Sequence, residues 1–181
     1  MNIDTAEPTT IIPFLALAIV LATAVYTDLR NRRIPNLLTA AAALIGFGFQ
    51  IWNFGLEGVV NASSGLCAGL IALIPIYWLG GMGAGDVKLM AAVGAFLGFK
   101  LAAIAAALTL VTGALFGLVI LSWRGGFQSM ARRYLGTFRF LLATGHLSHR
   151  GPQAGEAAAV RFPYALAIAL GTGWTLIWQG L

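Results

Sequence analysis

Six nearly uncharged, apolar stretches follow one another at 11–27, 37–52, 59–79, 89–99, 101–123 and 163–179. Segments of this kind leave a chain little choice of fold. Inside a bilayer the backbone must satisfy its own hydrogen bonds, and a helix does so within each segment. A full span takes about 20 apolar residues, so the second stretch and especially the fourth are short. The fourth reads as a half-span beside a glycine-rich loop. Only 9% of the 181 residues are charged and 59% are hydrophobic, whereas a soluble domain carries about 25% charged residues. The chain is therefore expected to be all-α, a polytopic membrane protein built as a bundle of about six transmembrane helices. Residues 1–181 form one membrane domain in this reading.

The formal charge of +5 is small and unevenly placed. No interleaving of aromatic and basic residues of the kind that tracks single strands is visible, so nucleic acid is not an expected partner. One cysteine, Cys67, lies in an apolar run and reads as a small buried hydrophobe. His146 and His149 are three apart with no third ligand nearby, which reads as a solvated pair. No metal site and no cofactor are expected. Residues 1–10 hold Asp4 and Glu7 without Lys or Arg, while Arg30, Arg32 and Arg33 follow the first apolar run. A cleavable signal carries its positive charge ahead of the apolar stretch, so the first helix reads as retained.

Charge also decides whether 89–123 is one helix or two. If the chain turns back near Lys100, the connections 28–36, 80–88 and 124–161 share one side, which then holds ten of the eleven Lys and Arg residues. Lys100 alone lies opposite, with Asp4, Glu7 and Glu57. The positive-inside rule favours this hairpin, with the basic side cytoplasmic and both termini outside. Residues 127–142 carry apolar side chains on one face and Arg132 and Arg139 roughly opposite. This predicts an amphipathic cytoplasmic segment attracted to membrane lipids, or a basic loop packed on the bundle. Trp52, Tyr77, Trp78, Trp123 and Trp178 near segment ends read as interfacial anchors.

Two carboxylates, Asp28 and Asp86, adjoin the apolar segments on the basic side. Ionisable groups near a membrane interior are costly and mark function. Asp28 ends the first segment. Asp86 lies in Gly81-Met82-Gly83-Ala84-Gly85-Asp86-Val87-Lys88, ahead of the fourth. Distant in sequence, both fall at one membrane face and can meet. Close carboxylates share a proton; one then activates water while the other protonates a carbonyl oxygen. Helix dipoles argue for Asp28 at a C-terminus as the acid and Asp86 near an N-terminus as the base; Lys88 agrees with that and Arg30 does not. Gly83 and Gly85 let an extended substrate approach, or simply allow tight helix packing. On the residues alone, catalysis and a capping or headgroup-anchoring role carry similar weight.

The segment GMGAGDVKLMAAVGAFLG resembles the GxGD segment of the type IV prepilin peptidases, a family of intramembrane aspartic proteases. DLRNRRIPN is similar to that family's other aspartate segment, and FPYALAIALG, from Phe162, to its last-helix segment. The resemblance implies that Asp28 and Asp86 are the catalytic pair. Gly83 and Gly85 match the motif glycines, and Lys88 a basic residue that often follows. Implied substrates are prepilins and pseudopilins, cut on the cytoplasmic side of the inner membrane between a short basic leader and an apolar helix. Larger members carry a cytoplasmic insert with paired CxxC motifs and methyltransferase activity. A single cysteine points instead to the minimal, peptidase-only branch of tight-adherence (Flp-type) pilus systems. Ala165 stands where the family usually has glycine, which implies altered packing there.

The sequence thus predicts a membrane-embedded aspartic endopeptidase. Its rivals are a small proton-coupled transporter using the same carboxylates and a catalytically inactive pilus-assembly scaffold. A transporter is disfavoured, because no inverted repeat is visible and both acids lie on one side.

Overall fold

The computed structural model describes residues 8–123 and 163–180. They form four helices, α1 (Pro8–Asn31), α2 (Asn36–Trp78), α3 (Ala84–Trp123) and α4 (Tyr164–Trp178), with no strand among the described residues. The chain up to Gly113, together with Pro163 onward, makes one compact unit. Residues 114–162 make a second, described only as the end of α3. The amphipathic segment expected at 127–142 and the two histidines lie outside the described residues.

Three spans, Ile12–Asn31, Asn36–Trp78 and Ala84–Ile120, are long and apolar enough to cross a membrane; α4 is shorter. At 1.5 Å per residue, α2 and α3 are each far longer than a ~30 Å hydrocarbon core if straight. Neither is straight. The helical backbone is interrupted at Gly55 (φ 58°, ψ −132°) and at Gly98 (φ 74°, ψ 176°). Positive φ is costly for any residue with a Cβ, and glycine supplies it at both breaks. The four helices therefore comprise six segments, in the order expected from the apolar runs.

Both breaks are reversals. Asn61 Nδ2 donates to Gln50 Oε1 at 3.2 Å, and Gly58 lies against the Gln50 carbonyl. An unbroken helix would hold Gln50 and Asn61 roughly 16 Å apart along its axis. In α3, Tyr164 covers Gly113 and also lies within electrostatic reach of Asp86, so the two arms flanking Gly98 return to the same neighbourhood. The Asn61 side chain packs on Gly98, placing both glycine breaks at one end of the unit.

Glycines set the spacing between the arms. Gly69 faces Met90, Gly65 faces Gly94 and Asn61 faces Gly98, an antiparallel register read every fourth residue. A Cβ at Gly65 would collide with the Gly94 backbone. Small residues permit such backbone approach, which drives helix packing where lipid is as apolar as leucine. α1 turns Leu17, Val20, Leu21, Ala24 and Asp28 inward at helical spacing.

Several boundaries and placements differ from the sequence reading. α1 runs on to Asn31, so Asp28 lies within its last turn. α3 begins at Ala84, so Asp86 lies inside its first turn and the expected half-span at 89–99 is longer. The turn near Lys100 falls at Gly98, because glycine accepts the left-handed backbone that lysine resists. Cys67 is exposed on the outer face of α2, and not a buried hydrophobe. Lipid accommodates such a face without protein cover. Trp52, Trp78 and Trp178 are strongly exposed near segment ends.

Candidate functional site

The end of the unit opposite the glycine breaks is where the chemistry-bearing segments converge. α1 closes there with Arg32 in the left-handed region (φ 53°), its amide donating to the Asp28 carbonyl at 2.9 Å. This is the αL form of a helix C-terminus, here without the usual glycine. Pro35 then stands at the N-cap of α2. The turn between them brings Ile34 under Gly85, where a Cβ would lie 3.2 Å from the Ile34 Cβ. Lys88 Nζ donates to Asn36 Oδ1 at 2.9 Å. The two aspartate segments are thus joined at two points, Ile34 to Gly85 and Asn36 to Lys88.

Asp86 is 8% exposed. Its Oδ2 accepts the Gly83 amide at 2.9 Å, while the Asp86 amide donates to the Gly83 carbonyl at 3.1 Å. An acid at the third helical position reaching back to the N-cap amide is one half of a capping box. Gly83 leaves no side chain over the carboxylate; a Cβ there would approach Oδ2 to 3.3 Å. Gly83 stays exposed, whereas Gly85 is partly covered by Ile34.

Asp28 is equally buried, at 8%. Its Oδ2 accepts the Ala165 amide at 3.3 Å, across from another helix. α4 has Pro163 at its N-cap, which offers no side-chain acceptor, so Asp28 serves as the cap from α1. The helix-end contrast expected between the two acids therefore fails. Asp28 lies near its own helix C-terminus, but its carboxyl, like that of Asp86, meets a helix N-terminus. Ala165 is fully buried, so the methyl group that replaces the expected glycine is packed closely there.

The two carboxyls lie close enough for Asp28 to act electrostatically on Asp86, and Arg32 acts in the same way on Asp28. Tyr164, half-buried over Gly113, lies in the field of Asp86. Sequence reasoning did not single out Tyr164 for the site, although it adjoins Ala165 in the third resembling segment. Its membership follows from the α3 reversal, which no local pattern encodes. Among the described residues, no three His, Cys, Asp or Glu side chains group as metal ligands.

Fold and site define a polytopic helical membrane protein that gathers two buried aspartates, one from each of two segments, at helix N-termini. Residues 15–118 match the type IV leader peptidase family, and the chain belongs to that family. A prepilin leader peptidase/N-methyltransferase of Aeromonas salmonicida (strain A449) is 34% identical over 122 residues, 64% of this chain and 42% of that protein. The protein of the same description from Bacillus subtilis (strain 168) is 36% identical over 111 residues, 58% and 41%. That from Legionella pneumophila is 34% identical over 119 residues, 62% and 42%. The matched region thus spans less than half the length of these relatives. No solved structure matches the chain.

Proposed function

We propose that the protein is an aspartic endopeptidase of the inner membrane that removes the short basic leader from prepilins and pseudopilins. The observation that carries this reading is the convergence of Asp28 and Asp86, with both carboxyls buried and within electrostatic reach of one another. In the proposed reaction one carboxyl is ionised and takes a proton from water. The other donates to the peptide carbonyl oxygen, and the tetrahedral intermediate collapses with a proton passed to the leaving amine. Neither a metal nor a nucleophilic side chain takes part. Gly83 leaves an open edge beside Asp86 for an extended peptide, and Lys88 holds the start of α2 against α3 through Asn36. The site faces the cytoplasm, both termini lie outside, and residues 1–181 act as one peptidase domain.

Of the two activities in the relatives' description, we assign the peptidase to these residues. The 181 residues hold one cysteine, so no paired CxxC motifs lie among them. Service to tight-adherence pili belongs to the same proposal. One observation favours the inactive-scaffold reading instead: each aspartate already caps a helix. Asparagine caps about as well as aspartate but cannot act as an acid or base. Co-expression with a candidate prepilin, followed by gel mobility of the leader, therefore separates the two. The peptidase reading expects processing by the wild type and none by Asp28→Asn or Asp86→Asn. Processing that survives both substitutions ends the two-aspartate mechanism, and a wild type that leaves the prepilin unprocessed leaves the scaffold or transporter.

A further inference from the structure

α1 and α4 leave an apolar groove of about 570 Å³ along their seam. Small residues open it, Ala18 and Ala22 on α1 with Ala169 and Gly173 on α4. It runs along α1 from Leu17 to Leu29, a rise of about 18 Å. Tyr26 alone among the lining residues carries a polar side-chain atom, and it lies toward the Leu29 end. There Arg30 Nη1 donates to the Tyr26 hydroxyl at 2.7 Å, with both side chains exposed. A guanidinium is thus held at the mouth of an otherwise hydrocarbon groove, with exposed Arg33 following.

We propose that this groove binds one anionic phospholipid, an acyl chain lying over Ala18, Ala22, Ala169 and Gly173 and the phosphate on Arg30. The complementarity is of two kinds. The lining offers an alkyl chain contact and offers a peptide backbone no polar partner. The Arg30 fork has five N–H donors, of which the Tyr26 bond uses one, and the planar remainder suits a phosphate. Depth separates lipid from a substrate helix. About 18 Å is close to one leaflet of a ~30 Å hydrocarbon core, whereas a spanning peptide needs the whole thickness. A basic leader would also be repelled at Arg30. Tyrosine and arginine at a helix end sit at headgroup level, where the phosphate would be.

The test uses the purified full chain in detergent, titrated with equimolar phosphatidylglycerol and phosphatidylcholine and read by native mass spectrometry. The wild type is expected to retain one phosphatidylglycerol about tenfold more strongly, because both lipids offer Arg30 a phosphate but the choline cation of phosphatidylcholine is repelled by the guanidinium. Arg30→Gln should equalise the two lipids. Gly173→Leu should release both, because a Cβ at Gly173 meets nothing within 4 Å and the larger side chain can enter the groove without a clash. Equal retention of the two lipids by the wild type overturns the proposal. So does Gly173→Leu with unchanged lipid retention; if that variant also raised the KM for prepilin, the groove would belong to the substrate's apolar segment.

Discussion

The left-handed break at Gly98, itself buried, removes the carbonyls of the preceding turn from the helical ladder. Gln50 Nε2 donates to the Phe96 carbonyl at 2.9 Å, and Asn61 in turn donates to Gln50. Gln50 is 6% exposed. Gln50→Met keeps the side-chain length and helix propensity and removes only these bonds. An unsatisfied buried carbonyl costs about 1–3 kcal/mol, and the lost Asn61 bond adds roughly 0.6 kcal/mol on the scale of membrane proteins. The substitution should therefore destabilise the fold by about 1.5–3.5 kcal/mol. Reversible unfolding in mixed sodium dodecyl sulfate and maltoside micelles, followed by circular dichroism, measures this. Cleavage per folded molecule should not change, because Asp86 lies about 18 Å from Gly98 along the helix. A loss below about 0.5 kcal/mol would refute the reasoning, since it would mean that Gln50 does not brace the break.

Asp28→Asn still offers an oxygen to the Ala165 amide, so its stability should stay within about 0.5 kcal/mol of wild type, whereas Asp28→Ala should lose about 1 kcal/mol. Cleavage should fall by about 10²–10⁴-fold in both, and wild-type kinetics in the Asn variant would remove Asp28 from the chemistry. Gly65→Leu forces a side chain into the Gly94 backbone, so little monodisperse protein should elute on gel filtration in detergent. A wild-type yield would show that the α2 and α3 arms can separate at no cost. Lys88→Met breaks one exposed bond to Asn36 and should lower kcat/KM by less than about tenfold. A loss as deep as that of Asp28→Asn would put Lys88 among the reacting groups.

The number and order of the helical segments were legible in the apolar runs, because membrane thickness fixes how long each run must be. The aspartates were legible too, as acids are rare beside such runs and these two lie in recognisable segments. Boundaries were less so. Asp86 was placed ahead of its helix because glycines at 81, 83 and 85 read as loop, yet Ala84 opens the helix and the Asp86 carboxyl caps it. Charge placement near Lys100 foretold a reversal, but the residue that turns is Gly98.

Tertiary structure alone decided which groups touch. Asp28 carries no sign in its own segment that it caps the distant helix α4, and the reversal at Gly98 is what brings Tyr164 within reach of both Gly113 and Asp86. Residue type and hydropathy are local properties, so one sequence determines class, helix order and candidate acids. Hydrogen-bond partnership between helices depends on rotation and depth, which are set by packing at glycines such as Gly65, Gly94 and Gly171. Those contacts exist only when the segments are assembled.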